Sequence, residues 1–295
     1  MPSTFFTEPP HWRWLIVLYF FIGGLAGGCY FLAALIDLFG RITDRPLARL
    51  GYLIAFPAVV VCGVLLIVDL GRPERFWHML LQSETWRPMF KSYSPMSFGA
   101  WGLLLFGLFA FLSFLGALGP DANRDGLGRL RPPALLGTVI AILGGLAGFF
   151  LASYTGVLLA VTNRPIWADT TLLGLLFVVS SASTSIALLL LLGSGRVFLI
   201  GGLRALQRFD IGVLVLELIA IVAVIASLGS VARVWLDVWG VLLVVGVIGL
   251  GIVVPALLHL RAHAPTALSA RAAALLVLVG GFLLRIVIVL SSEAV

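Results

Sequence analysis

A handful of ionisable and phenolic side chains stand inside stretches of sequence that are otherwise apolar. Asp69 closes the run from 49 to 69, Tyr19 lies near the start of the run from 14 to 39, and Tyr154 stands six residues inside the end of the run from 134 to 160. Arg285 interrupts Leu283-Leu284-Arg285-Ile286-Val287, and Glu217 lies about two turns into the run from 209 to 229. In hydrocarbon such groups cost free energy unless they are paired or wetted, which makes them candidates for a site. Counted along helices, Tyr19, Asp69, Tyr154 and Arg285 fall within about two turns of one face of the membrane, where they could converge. The alternative for Asp69 is simply to pair with Arg72, Arg75 or Arg285 and hold the loop; both can be true, since pairing would also orient a carboxylate able to take up or release protons. Deeper in the other half, Glu217 and the hydroxyls of Ser180, Ser181, Ser183, Thr184 and Ser185 either outline a proton path or knit helices together.

The same inventory limits the chemistry. The four histidines, His11, His78, His259 and His263, all fall at breaks between apolar runs, so no pair inside the spans is placed to ligate haem. His259 and His263 are four residues apart, a spacing that suits a metal, but no third ligand is nearby and cationic side chains at a helix end also favour its carbonyls. Cys29 and Cys62 lie in apolar runs and read as packed thiols; two of them cannot hold an iron-sulfur cluster, which typically takes four. Electrons that pass through this chain therefore need a carrier from outside it.

The elements that must position these residues are membrane spans. Of the 295 residues 61% are apolar and 11% charged, and the mean hydropathy is +1.15. At roughly 20 residues per crossing the length allows about eight spans with short connections. Apolar runs between charged or proline-rich breaks place them near 14–39, 49–69, 95–117, 134–160, 168–193, 209–229, 234–258 and 268–291. Runs this continuous satisfy their backbone amides as helices, so the chain reads as all-α, a single polytopic membrane domain. The opening MPSTFFTEPPHWRW has neither a basic stretch nor a small-residue cleavage site, so the first run is expected to be retained. Glycines cluster in the first and fourth runs, where small residues four apart favour close helix packing, and GGLAGG lacks the strand that a dinucleotide site needs.

Charge gives an orientation. The breaks near 40–48, 118–133, 194–208 and 259–271 carry most of the arginines, including Arg41, Arg45, Arg124, Arg129, Arg131, Arg196, Arg204 and Arg208. The positive-inside rule puts these breaks in the cytoplasm and both termini outside. The net charge of +6 is thereby explained by topology and not by nucleic acid. One connection departs from the rule: Arg72, Arg75, Arg87 and Lys91 lie on the outer side, in an aromatic loop that must have another use.

That loop opens with Asp69-Leu70-Gly71-Arg72-Pro73-Glu74-Arg75-Phe76-Trp77-His78, and Ser94-Pro95-Met96-Ser97-Phe98-Gly99-Ala100-Trp101 begins the next run. These segments resemble the NrfD-type membrane subunits of the polysulfide reductase family. The likeness extends to Tyr19-Phe20-Phe21-Ile22-Gly23-Gly24, to Ser153-Tyr154-Thr155-Gly156 with Asn163-Arg164-Pro165-Ile166-Trp167, to the stretch from Phe177 to Ser183 and to the surroundings of Arg285. It covers essentially the whole chain. The resemblance implies a quinone-binding anchor of a respiratory iron-sulfur or molybdopterin-type oxidoreductase in a bacterial or archaeal cytoplasmic membrane. Menaquinone or ubiquinone would bind near the outer surface between the first four helices, with Tyr154 as the residue carried over most directly. Tyr19 stands where some relatives place a histidine. Asp69, Arg72, Arg75, His78 and Arg285 complete the implied site, with Glu217 and Ser181 on the proton path. The implied partners are a ferredoxin-like four-cluster iron-sulfur subunit and a catalytic subunit. A phenol can donate to a quinone carbonyl and lie against its ring. Two other functions compete: a secondary transporter, which would show paired interrupted helices in two halves, and a structural anchor without a quinone site.

Overall fold

The computed structural model describes residues 12–119, 126–194, 200–261 and 267–294. His11, His263, Arg124 and Arg196 lie outside the described residues, as does most of the opening segment. Eight helices are long and apolar enough to cross a membrane, in agreement with the all-α polytopic expectation. The first six are α1 (Trp14–Phe39), α2 (Arg45–Asp69), α3 (Pro95–Leu118), α4 (Leu135–Ala160), α5 (Leu173–Gly193) and α6 (Ile200–Leu228). The seventh span, Val238–Leu260, is composite, with twelve π-helical residues, Leu242–Val253, between short α-helical ends. The eighth is Ala267–Leu290.

The helices run alternately up and down, so the start of α1, the ends of α2 and α4 and the loop between α2 and α3 share one face, here called the loop face. Helices α1 and α5 are the most enclosed. α1 packs on α2, α4 and α5, while α5 packs on α4, α6 and the eighth span. Close approach is set by glycine: a Cβ at Gly27 would run into the backbone of Gly148, and one at Gly251 into Gly280, where the seventh and eighth spans touch.

Two boundaries differ by five residues or more from those read in the sequence. α6 starts at Ile200, nine residues before the expected 209, because hydropathy marks where hydrocarbon begins while the helix runs on through Arg204, Gln207 and Arg208 beyond it. α5 starts at Leu173 and not 168, because side chains take over the backbone ahead of it. Asp169 accepts from the Ile166 amide at 2.9 Å, and Thr170 accepts from the Leu172 amide at 3.2 Å. On the loop face, Trp167 is fully buried, donates to the Ile288 carbonyl at 2.8 Å and stacks on Trp12 at 5.3 Å. The Asn163–Trp167 segment therefore clamps the α4–α5 connection to the eighth span and to the start of α1.

Candidate functional site

Three helix ends contribute a polar group each to one cavity. Tyr19 enters from the start of α1, Asp69 from the last residue of α2 and Tyr154 from the C-terminal part of α4; all three line a space of about 650 Å³ between α1, α2, α3 and α4. The rest of the wall is almost wholly apolar, with Trp12, Ile16, Phe20, Val59, Leu66 and Leu103 among its residues. Phe76, Met79 and Leu80 of the α2–α3 loop form its roof. Charge and hydrogen-bonding capacity are thus confined to the end nearest the loop face.

Local structure fixes each group. The Tyr154 ring stacks on Phe150 at 5.4 Å and lies so close to α3 that a Cβ on Gly99 would overlap it. Its hydroxyl donates to the Pro95 carbonyl at 2.6 Å, in the first turn of α3. That turn is capped by Ser94, whose Oγ accepts from the Ser97 amide, while the Ser97 hydroxyl accepts from the Lys91 amide at 3.0 Å. Tyr154 therefore has its proton engaged and offers only oxygen lone pairs to a ligand. The Tyr19 side chain is nearly fully buried, and its hydroxyl has no hydrogen-bond partner among the described residues, leaving it the donor available to the cavity. Asp69 is exposed at the mouth and makes no ion pair among the described residues, so the alternative of a pairing with Arg72, Arg75 or Arg285 is not seen there. It closes α2, between the cavity it lines and the α2–α3 loop.

The other sequence-selected residues lie elsewhere. Arg72, Arg75 and His78 sit on the loop above, with both arginines exposed; the His78 ring stacks on Trp77 at 3.9 Å, and its Nδ1 lies 3.0 Å from the Arg75 carbonyl. None of the three lines the cavity. Arg285 also departs from the expected placement. Fully buried, it donates to Ser180 Oγ at 2.5 Å, Ser181 Oγ at 3.2 Å and the Gly281 carbonyl at 2.8 Å, with its guanidinium over Phe177 and Phe21. Its height along the helix matches the site, but its direction is toward α5. Glu217 faces this same cluster, near Ser180, Ser183 and Arg285, so the residues assigned to a proton path gather around the arginine and not around the cavity.

Sequence reasoning missed two buried pairs, the first of them Asp37 with Arg131, 3.9 Å apart. Asp210 and His259 lie 3.6 Å apart with both side chains almost fully buried. His259 lies at the end of the seventh span, where the sequence puts it, but its side chain is buried. Asp210 and Glu217, seven apart on α6, share a face, a signal obscured because a run started at 209 puts Asp210 at its edge, where a carboxylate is unremarkable, although the helix begins at Ile200. Among the described residues no group of three potential metal ligands occurs.

Fold and site together define a multi-pass helical membrane protein with an amphipathic cavity beneath the α2–α3 loop. The family model for "Polysulphide reductase, NrfD" matches residues 2–295, and the chain belongs to the NrfD family. It is 30% identical over 191 residues to the C component of polysulfide reductase from Wolinella succinogenes, a match covering 62% of this chain and 58% of that protein. It is 27% identical over 331 aligned positions to protein NrfD of Escherichia coli, covering 99% and 98%. A shorter match, 29% over 84 residues, joins it to the C component of selenate reductase from Mesobacillus selenatarsenatis and covers 28% of this chain and 20% of that protein. The chain thus spans little more than half of the first of these relatives and a fifth of the last.

Proposed function

We propose that this chain is the quinone-reactive membrane subunit of a reductase complex, exchanging electrons with an extracytoplasmic iron-sulfur partner docked on the outer loop. The observation that carries the reading is the convergence of Tyr19, Asp69 and Tyr154 at one end of an otherwise apolar cavity. A quinone couple supplies two-electron, two-proton chemistry between an apolar ring and its oxygens. The residues fit both redox forms: the Tyr19 hydroxyl can donate to a carbonyl, and Tyr154 Oη and the Asp69 carboxylate can accept from hydroxyls. Asp69, exposed at the loop face, is the group placed to pass a released proton to water. Aromatic walls from Trp12 and Phe20 suit a flat ring and exclude water.

Support for the partner comes from the loop. Arg72, Arg75, Arg87 and Lys91 are exposed, and none is within ion-pair distance of a carboxylate among the described residues. Trp86 and Tyr93 are exposed beside them. The loop is nevertheless ordered internally, with the Met89 amide donating to Leu80, the Gln82 amide to Arg87 and Trp101 Nε1 to Met89. Such a preformed basic and aromatic surface suits an acidic protein face. Glu217, Ser180 and Ser181 belong to the same reading as a candidate proton route within the second half of the bundle. The test is equilibrium binding of a quinone-competitive inhibitor to the purified complex. Asp69→Asn and Tyr19→Phe should weaken binding, and unchanged affinity in both would remove the site from this cavity.

A further inference from the structure

We infer that the slot between α2 and α3 is a lateral portal holding the isoprenoid tail of the quinone, with Gly63 and Gly107 keeping it open; this rests on the quinone reading above. The cavity does not end beneath its polar groups. Along α3 it continues from Met96 to Leu108, about 18 Å at helical rise, and along α2 it reaches Phe56. Everything beyond the polar end is apolar. The floor is set where Phe56 meets Phe111 and Phe114, each with ring centroids 5.2 Å apart. The outer wall is incomplete: Val60, Leu104 and Leu108 line the slot and are also 47%, 50% and 52% exposed, on surfaces that face hydrocarbon. A ring-sized ligand has no use for this lower half. A molecule with a polar ring and a long unsaturated hydrocarbon tail fills both halves at once, ring under the loop and tail leaving sideways between the helices.

The two glycines supply the independent observation. Glycine inside a helix costs about 1 kcal/mol relative to alanine, and in membrane helices the usual compensation is close backbone approach. That explanation holds for Gly27 and Gly251 but fails here: a Cβ placed on Gly63 or on Gly107 would meet nothing within 4 Å. Both glycines line the cavity, one on each wall of the slot. Their missing side chains widen it. Gly212 on α6 has equally open surroundings but faces outward away from the cavity, which makes it a control.

The test uses the intact complex in lipid vesicles with two electron donors, a quinol bearing a polyisoprenoid tail and tailless menadiol. Gly63→Leu and Gly107→Leu should lower kcat/KM for the tailed quinol about tenfold, equivalent to losing roughly two methylene groups of tail contact. Menadiol turnover should be unchanged, as should dye-linked activity that bypasses quinone. Alanine at either position should be silent in both assays, as should Gly212→Leu. An equal loss with both quinols, or no loss with either, would overturn the portal. So would native mass spectrometry in which the leucine variants lose a bound phospholipid and retain the quinone. If the unaltered complex turns over neither quinol and binds no quinone-competitive inhibitor, the functional reading itself falls and takes the portal with it. A tail-specific failure leaves that reading standing.

Discussion

Tyr19 and Tyr154 line the same cavity but differ in what their hydroxyls are free to do, and this difference sorts their expected roles. Tyr154 spends its proton on the Pro95 carbonyl, so Tyr154→Phe removes an anchor between α4 and the first turn of α3 together with one acceptor for a ligand. Tyr19 has no competing partner among the described residues, so Tyr19→Phe removes a donor and disturbs little else. Quinol-linked turnover in Tyr19→Phe is expected to fall about threefold to tenfold, the worth of one hydrogen bond of roughly 0.5–1.5 kcal/mol, with dye-linked activity and assembly intact. In Tyr154→Phe a similar kinetic loss should come with a lower melting temperature, because a carbonyl near the roof loses its partner. Tyr19→Phe kinetics equal to the unaltered complex would refute this assignment of the donor. These residues could be selected from sequence because depth along an apolar run is countable. Depth says nothing about direction around the helix, and for that reason Arg285, at the right height, turned out to face Ser180 and Ser181 instead. The glycines of the slot were unreadable for a related reason, since an open space opposite a glycine looks in sequence the same as a close contact.

At the scale of helices, α5 and the eighth span are joined by a polar knot inside an apolar interface. Arg285 supplies three hydrogen bonds to that junction, two of them to α5 hydroxyls. Arg285→Met retains much of the volume but leaves Ser180 and Ser181 without this donor and Glu217 without the facing cation. Each buried group so orphaned costs about 1–3 kcal/mol. The variant should therefore melt at a clearly lower temperature in detergent while inhibitor affinity at the cavity stays unchanged, and Arg285→Lys should recover part of the loss. A weakened inhibitor with an unaltered melting point would show instead that the arginine acts on the site. The eight spans themselves were legible, because about 20 consecutive apolar residues have few other fates. The start of α6 was not, since a helix outlasts the hydrocarbon around it. Nor was the π-helical stretch of the seventh span, whose Leu-Leu-Val-Val-Gly-Val-Ile-Gly-Leu-Gly-Ile-Val composition has no feature that separates one helical pitch from another.

For the whole molecule the decisive asymmetry is that the cavity, its carboxylate and the exposed basic loop all belong to one face. If that face is extracytoplasmic, the excess of arginine lies in the cytoplasmic connections, and protons released at Asp69 leave on the outer side. A cysteine introduced at the exposed Ser83 should then react with an impermeant maleimide in sealed right-side-out vesicles. Labelling only after the vesicles are opened would invert the molecule and move the docking face to the cytoplasm. The same face makes a prediction about assembly. Arg72 and Arg75 stand exposed above the cavity without carboxylate partners among the described residues, while Trp86 and Tyr93 offer apolar area beside them. If the partner's surface is acidic, Arg72→Glu with Arg75→Glu should lower its retention on the membrane, most of all at low ionic strength, where like charges repel over a Debye length of about 10 Å or more. Inhibitor binding in the cavity should survive, because neither arginine lines it. Raising the salt should narrow the gap between variant and unaltered complex by screening both the attraction in one and the repulsion in the other. A retention defect insensitive to salt would point to lost packing of the loop, and no defect at all would place the partner on another surface.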